Sequence, residues 1–237
     1  MIAVIWAFSA RLRDGVLTRV WQLRGRLALH ALGVKGAHGV RFYGMPVVSR
    51  VPGSSIELGP RVVLCSHPRF TALGVARPVI LRTLSESASI RIGADVGISG
   101  GVICAFSSVQ VGDRCLIGAD VQITDTDFHA IAPGNRRFET RPEMIASAPV
   151  VIEDNVFLGA GVRVLKGVRI GRNSVVGAGS LVTRDVPPNV IAAGIPARVI
   201  AQLSSPASQT SRTRRQMAQS TVGPVLSAGA SAKKEMS

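Results

Sequence analysis

The chain has 237 residues, a formal net charge of +14 and an aromatic content of only 4%. This length suits one repeat domain with flanking segments. The basic residues are spread over the termini and loops without interleaved aromatic residues, so no nucleic-acid partner is expected. The three cysteines lack metal-ligand spacing, which argues against a disulfide framework or a zinc site and favours the reducing cytoplasm.

Residues 1–36 predict an N-terminal amphipathic helical segment. The opening MIAVIWAFSA is apolar but too short to span a bilayer, and it lacks the charged start of a secretory signal. One helical face collects aliphatic side chains, at Val16, Val20, Leu23, Leu27 and Ala31. Two interpretations stay open. The helix packs against the β-domain or a neighbouring subunit, or residues 1–32 make a peripheral contact with the inner face of the plasma membrane.

Residues 37–202 predict a β-helix domain, and its clearest stretch runs from Pro149 to Pro187. Aliphatic residues recur there at every sixth position, at Ile152, Leu158, Val164, Ile170, Val176 and Val182. The apolar spacing alternates between two and four, which no helix face allows. A step of two is an inward-facing strand pair, and a step of four adds a corner. This is the hexapeptide signature of a parallel β-helix, whose coils must stack to bury their apolar side.

The repeat is interrupted in several places. Residues 65–79 predict an irregular loop, where His67 is interpreted as a surface or capping residue. Farther on, Cys104 and Cys115 occupy predicted inward positions, and one extra residue near Ser107–Val109 predicts a bulge. Two prolines at 187 and 188 are expected to end the strand ladder. Residues 203–237 predict a disordered basic tail.

The longest interruption is an extruded loop at about residues 129–149, and long loops on rigid scaffolds commonly carry function. It begins with His129, which can accept a proton near neutral pH and is the candidate general base. Asp125 and Asp127 lie just upstream. Either could orient the imidazole or hold an acceptor hydroxyl, or simply satisfy backbone donors at a corner. No nucleophile stands out, which favours direct transfer.

The stretch from IEDNVFLGAG to GIPARVI resembles the C-terminal coils of the hexapeptide-repeat acetyltransferases. The DTDFH segment resembles the catalytic-histidine segment of their sugar and exopolysaccharide O-acetyltransferase branch, and the resemblance covers about residues 88–200. It implies an all-β, left-handed parallel β-helix, a homotrimer, and acetyl-CoA as co-substrate with no metal required. A departure is CAFS, where the family often has an asparagine-containing ANFN-like stretch.

The resemblance also implies roles for individual residues. His129 matches the general base, and the backbone N–H of Ala160 matches the donor to the thioester oxygen. Ala178, Thr183 and Arg184 match positions along the pantetheine arm and nucleotide. Arg198 matches the basic residue near the CoA phosphates.

The sequence therefore predicts an acetyl-CoA-dependent O-acetyltransferase acting on a sugar or cell-surface polysaccharide precursor in the cytoplasm. The alternatives are a non-catalytic β-helix scaffold or binding module, and an N-acetyltransferase acting on an amino sugar. A zinc enzyme on this fold would need three histidine ligands around an open metal position, and only His129 sits where a regular coil opens into a loop.

Overall fold

The computed structural model describes the backbone of residues 2–134 and 136–203, and side chains from residue 14 onward within these ranges. Except for Leu203, the predicted disordered tail lies outside the described residues. No helix in the described part of the chain is long and apolar enough to cross a bilayer.

One α-helix precedes the β-domain: α1 runs from Ile2 to Ala31. Twenty strands then follow in the described ranges: β1 Lys35–Gly36, β2 Arg41–Tyr43, β3 Val47–Ser49, β4 Ser55–Leu58, β5 Val63–Cys65, β6 Ile80–Thr83, β7 Ser89–Ile92, β8 Gly97–Ser99, β9 Val102–Ala105, β10 Ser108–Val111, β11 Leu116–Ile117, β12 Gln122–Thr124, β13 Val150–Ile152, β14 Phe157–Leu158, β15 Arg163–Val164, β16 Arg169–Ile170, β17 Val175–Val176, β18 Leu181–Val182, β19 Val190–Gly194 and β20 Ala197–Gln202. Short 3₁₀ helices lie at Pro68–Phe70, Arg136–Phe138 and Pro142–Met144.

The strands form three sheets. Each of the six full coils adds one strand to every sheet, and β19 and β20 then extend one sheet alone. Sheet A has the order β1-β4-β7-β10-β13-β16, sheet B the order β2-β5-β8-β11-β14-β17-β19-β20, and sheet C the order β3-β6-β9-β12-β15-β18. All pairs are parallel except β19 with β20, which form an antiparallel hairpin at the end of sheet B. The chain is therefore a parallel β-helix, as the six-residue period predicts.

The core is a stack of aliphatic side chains inside this helix. The six residues that define the repeat, from Ile152 to Val182, are each at most 1% exposed. In sheet C, Ile123 pairs with Val164, and Val164 pairs with Val182, so inward residues lie directly over one another. The predicted inward pattern of this stretch is confirmed.

The corners between sheets A and B require a left-handed backbone, and residues that tolerate it stack there. Asn155, Asn173 and Asn189 have φ values of 57°, 62° and 60°, in the region that asparagine visits more readily than most residues. The Asn155 amide Nδ2 donates to Asn173 Oδ1 at 3.0 Å, and Asn173 Nδ2 donates to Asn189 Oδ1 at 2.7 Å. This ladder ties the last coils together.

The predicted register near β9 is wrong by one residue. Ile103, not Cys104, pairs with the inward Ile123, while Cys104 pairs with Thr124. The coil is shortened at Gly101, where a Cβ would lie 2.2 Å from the carbonyl oxygen of Val121, so only glycine fits this tight corner. Cys104 is nevertheless only 4% exposed.

The prediction that Pro187 and Pro188 end the strand ladder is also wrong. The prolines occupy a corner, and the chain then forms β19, which pairs in parallel with β17. Ser174 enables this: its hydroxyl donates to the Pro187 carbonyl at 2.6 Å and accepts from the Val190 N–H at 3.2 Å. Val190 continues the core at 0% exposure.

Helix α1 packs on the first coil, which is one of the two interpretations that the sequence left open. Gly25 lies against the ring of the fully buried Phe42, and Leu29 is 2% exposed. The Gln22 side-chain amide bonds to both backbone groups of Phe42. It donates to the Phe42 carbonyl at 2.8 Å and accepts from the Phe42 N–H at 3.2 Å. The aliphatic face of α1, with Val16, Val20, Leu23 and Leu27, points to solvent instead.

His67 belongs to this packing region. Its Nδ1 accepts from the Arg69 N–H at 3.3 Å, which caps the 3₁₀ helix Pro68–Phe70. The His67 ring lies 5.4 Å from Trp21 of α1 and 5.9 Å from Phe70, between ring centroids. His67 is thus a capping residue that also packs against α1.

Candidate active site

The predicted loop leaves the β-helix at the edge where sheet C gives way to sheet A. Its two ends are held together, because the Asp127 N–H donates to the Ala146 carbonyl at 3.1 Å and the Ala148 N–H donates to the Asp125 carbonyl at 2.9 Å. His129 lies just beyond this closed neck and is exposed, while Ala130 is buried at 2%. The imidazole is thus presented to solvent at the base of a loop anchored to the coil.

Asp125 does not face His129 as an orienting partner. Its carboxylate is fully buried, and its two oxygens accept the N–H groups of Phe106 and Ser107, both at 2.7 Å. Both oxygens are committed to the corner after β9. Asp125 therefore satisfies backbone donors at a corner, which was one of the roles expected from the sequence.

Asp127 has a different environment, which involves a residue that the sequence analysis missed. Its Oδ1 lies 2.7 Å from Lys166 Nζ, and the two side chains are 25% and 31% exposed. Lys166 follows β15 at the corner directly below the loop. The sequence carries a signal for it, because Arg184 stands three hexapeptides later in the same corner position.

The opposite edge of sheet C, toward sheet B, carries the predicted alanines. The Gly179 N–H donates to the Ala160 carbonyl at 2.8 Å, which stacks the corner containing Ala178 on the one containing Ala160. Gly159 has no room for a side chain, since a Cβ there would lie 2.6 Å from the Ala178 nitrogen. Ala160 is half-buried and Ala178 exposed.

The backbone N–H groups at this corner differ from several of those between sheets A and B. At the corresponding corner positions between sheets A and B, the Ala94 N–H donates to Asp113 Oδ1 at 2.7 Å and the Asp113 N–H donates to Asp154 Oδ1 at 2.9 Å. Among the described residues, no acceptor serves the N–H of Ala160 or Ala178. Both donors are therefore available to a ligand.

The remaining predicted residues complete the two edges. Thr183 and Arg184 are exposed directly after β18, at the same edge as Lys166. Arg198 is exposed on β20 opposite Ala193, and Gly194 of that hairpin donates its N–H to Ser180 Oγ at 3.1 Å, just past Ala178. The predicted residues therefore line both edges of sheet C, whose outer face between them is only two or three residues wide.

The charge at these edges is mainly positive. Lys166, Arg184 and Arg198 line them, and Arg163 projects from β15 between them. Asp127 is engaged by Lys166, and Asp185 accepts the Arg169 N–H at 2.8 Å. Such a surface suits a ligand with several phosphate groups.

The cysteine thiols do not offer a nucleophile here. Cys65, Cys104 and Cys115 are free and buried. Burial raises the pKa of Cys104 and of Cys115 to about 11, and it also raises the pKa of Cys65. Each thiol therefore stays protonated near neutral pH, where the thiolate is the reactive form.

Two surface grooves lie away from these edges. A groove of about 410 Å³ on sheet A is lined by charged residues that include Arg91, Glu153 and Arg172. Neither this groove nor the adjoining one of about 610 Å³ includes His129 or the alanine corner. The two edges of sheet C form an open surface in the single chain.

Comparisons with known proteins support the repeat assignment. Residues 149–184 match the family described as hexapeptide repeat of succinyl-transferase. The chain is 43% identical over 114 residues to a galactoside O-acetyltransferase of Lactococcus lactis, covering 45% of this chain and 53% of that protein. It is 43% identical over 97 residues to a galactoside O-acetyltransferase of Escherichia coli, covering 41% of this chain and 45% of that protein. It thus spans about half the length of these relatives.

Among solved structures, the chain is similar to AntD, an N-acyltransferase from Bacillus cereus in complex with dTDP and 3-hydroxybutyryl-CoA. The TM-score is 0.54 at 18% identity, over 84% of this chain and 97% of that one. At this identity the likeness concerns the fold. The predicted fold class, a left-handed parallel β-helix with an N-terminal helix, is confirmed.

Proposed function

We propose that this chain, a member of the hexapeptide-repeat acetyltransferase superfamily, is an acetyl-CoA-dependent O-acetyltransferase acting on a sugar or a cell-surface polysaccharide precursor. Its galactoside O-acetyltransferase relatives support a sugar acceptor. Acetyl-CoA as the donor places the reaction in the cytoplasm. The chain acts as a homotrimer, in which the open outer face of sheet C is covered by a neighbouring subunit.

One observation carries this proposal. The N–H groups of Ala160 and Ala178 have no protein acceptor at one edge of sheet C, and the His129 loop leaves the other edge. Acyl transfer needs this pair of functions: a base for the acceptor hydroxyl and a donor for the oxygen that becomes negative.

The proposed reaction is a direct transfer. His129 takes the proton of the acceptor hydroxyl as its oxygen attacks the thioester carbonyl carbon. The carbonyl oxygen becomes an oxyanion, which the Ala160 N–H stabilises. The C–S bond then breaks, the acetyl group remains on the acceptor oxygen as an ester, and the sulfur leaves as the CoA thiolate, which receives the proton from the imidazolium.

The other residues bind the donor. Ala178 and Thr183 lie along the pantetheine arm, where small corner residues let it approach the backbone. Arg184 and Arg198 bind the phosphates, and arginine's planar fork suits bidentate contacts with them. Lys166 holds Asp127 at the base of the loop, so that Asp127 can orient His129 or the acceptor hydroxyl.

The test is release of free CoA thiol from acetyl-CoA with a panel of sugars, comparing wild type with His129→Ala. The expected loss in kcat is about 10²- to 10⁴-fold, the usual contribution of a general base. His38→Ala is the matched control, because His38 is exposed on the first coil, away from the site. Equal thiol release by wild type and His129→Ala would remove His129 from the mechanism.

Two alternative functions can be tested with the same purified protein. A non-catalytic scaffold or binding module would give no heat when millimolar CoA is titrated into the protein. An N-acetyltransferase would act on amino sugars and give an amide that resists alkaline hydroxylamine, whereas an O-acetyl ester is cleaved.

A further inference from the structure

Helix α1 carries an apolar stripe that the fold leaves uncovered. Val16, Val20, Leu23 and Leu27 are 53%, 43%, 63% and 60% exposed. Their spacing of four, three and four places them on one continuous face. Each packed residue follows a stripe residue by two positions, which is about 200° around the helix. These packed residues are Gln22, Gly25 and Leu29. The helix thus meets the β-domain with one side and presents this stripe on the other.

Arginines border the stripe on both sides. Arg19 and Arg26 lie along one border and Arg24 along the other, and all three are exposed. The only acidic residue in the sequence of α1 is Asp14, on the packed side, where its carboxylate lies 3.5 Å from Arg69 Nε. The stripe is therefore an apolar strip between two cationic borders with no acidic side chain beside it.

We propose that α1 docks this stripe on an anionic lipid bilayer, with the helix lying in the plane of the interface. The apolar side chains enter the boundary between headgroups and acyl chains, while the arginines meet anionic headgroups. Neither signal suffices alone, since stable peripheral binding generally needs both apolar burial and charge attraction. The stripe faces away from the β-domain, so docking needs no rearrangement of the α1 contact.

Charge complementarity selects this occupant over a second copy of the chain. Pairing two stripes would place Arg19, Arg24 and Arg26 of one copy near those of the other, with no acidic partners on either helix to neutralise them. An anionic membrane supplies the missing negative charge. This inference goes beyond the proposed function and does not depend on it.

The test is co-sedimentation of the full chain with vesicles of phosphatidylcholine containing about one-third phosphatidylglycerol, compared with pure phosphatidylcholine. The apolar variant is Leu23→Gln with Leu27→Gln, and the charge variant is Arg19→Gln, Arg24→Gln and Arg26→Gln. Each changes only exposed side chains and leaves the Gln22 and Gly25 contacts intact.

Matched controls remove similar residues elsewhere. Leu73→Gln with Leu116→Gln replaces leucines that are 80% and 57% exposed. The control for charge changes three other exposed arginines to glutamine, at Arg41, Arg114 and Arg137. It lowers the net charge of the chain by the same amount.

We expect wild type to bind the anionic vesicles and to be released by raised salt. The charge variant should lose roughly 100-fold in partition coefficient, and the apolar variant about 10-fold or more, while both controls bind like wild type. Equal losses in the variants and their controls, or equal binding to neutral vesicles, would overturn the proposal. Binding of both variants as tightly as wild type would also overturn it. The stripe would instead join copies of the chain if wild type bound no vesicles and light scattering showed that the apolar variant dissociates an assembly.

Discussion

The contact between α1 and the first coil can be tested with two glycines of the same helix. Gly25 lies against Phe42: a Cβ at this position would stand 2.7, 2.7 and 2.8 Å from three atoms of the ring. Gly15 has nothing within 4 Å of the same ideal Cβ. Substitution by alanine therefore adds the same methyl group to a crowded site and to an open one.

The two substitutions share one energetic effect and differ in another. Alanine is favoured over glycine in a helix by about 1 kcal/mol, so Gly15→Ala should stabilise the protein by roughly that amount. At Gly25 the same gain is opposed by overpacking, which typically costs about 1 to 3 kcal/mol. Carbon atoms normally approach to about 3.5–4.0 Å, and the fully buried Phe42 ring has little room to move. The propensity gain cancels in the comparison, leaving the two variants about 1 to 3 kcal/mol apart.

The measurement is urea unfolding followed by circular dichroism, at one protein concentration for wild type and both variants. We expect Gly15→Ala to have the higher midpoint and Gly25→Ala the lower one. Equal midpoints for the two variants would mean that Phe42 does not lie on this face of α1. The exposure of the aliphatic stripe, and the membrane proposal built on it, would then fail as well.

Three further predictions concern carboxylates. Glu153 accepts the Arg172 N–H and pairs with a neighbouring guanidinium, which lowers its pKa below 4.5. Glu153→Gln should therefore lower the free energy of unfolding by about 1 kcal/mol at neutral pH. This loss should shrink as pH falls through the lowered pKa, as measured by urea titrations from pH 7 to 3. Asp125→Asn should lower stability by about 1 to 3 kcal/mol, because the buried amide cannot accept both N–H groups, while activity per folded molecule stays near wild type. Asp127→Asn removes the ion pair with Lys166 at little cost in stability, but it should lower kcat. The proposed roles would be contradicted if Asp125→Asn lowered kcat and Asp127→Asn lowered stability instead.

The inward half of the fold is predictable because it repeats. Every sixth residue meets the same requirement, an aliphatic side chain over its counterpart in the next coil, so Ile152 to Val182 stand out in the sequence. The register error at β9 and the wrongly predicted end of the strand ladder at Pro187 arose where this requirement changes. Gly101 shortens a coil, and Ser174 replaces an aliphatic residue so that its hydroxyl can bind the chain around Pro187.

The orientation of α1 was not predictable from the distribution of apolar residues. That pattern marks an amphipathic helix, but it does not say whether the aliphatic stripe packs on the β-domain, on a neighbouring subunit or on a membrane. The actual contact depends on shape and hydrogen bonding: Gly25 admits the Phe42 ring, and Gln22 pairs with the Phe42 backbone. Such features are specific to one partner and leave no periodic signal.

In the candidate site, too, repeated features can be predicted from the sequence, whereas contacts specific to single residues cannot. The resemblance to a family locates His129, Ala160 and Arg198, but it does not say which corner N–H groups lack acceptors or what holds the loop. Lys166 emerges only once the coils are stacked, because its role depends on Asp127, which is 39 residues away in the sequence. In a β-helix the inward positions must satisfy the coil above and below, whereas the outward corners carry no such demand. Chemistry can therefore change at the corners without loss of the fold, so a corner whose N–H groups have no acceptor in the protein is where a ligand should be sought.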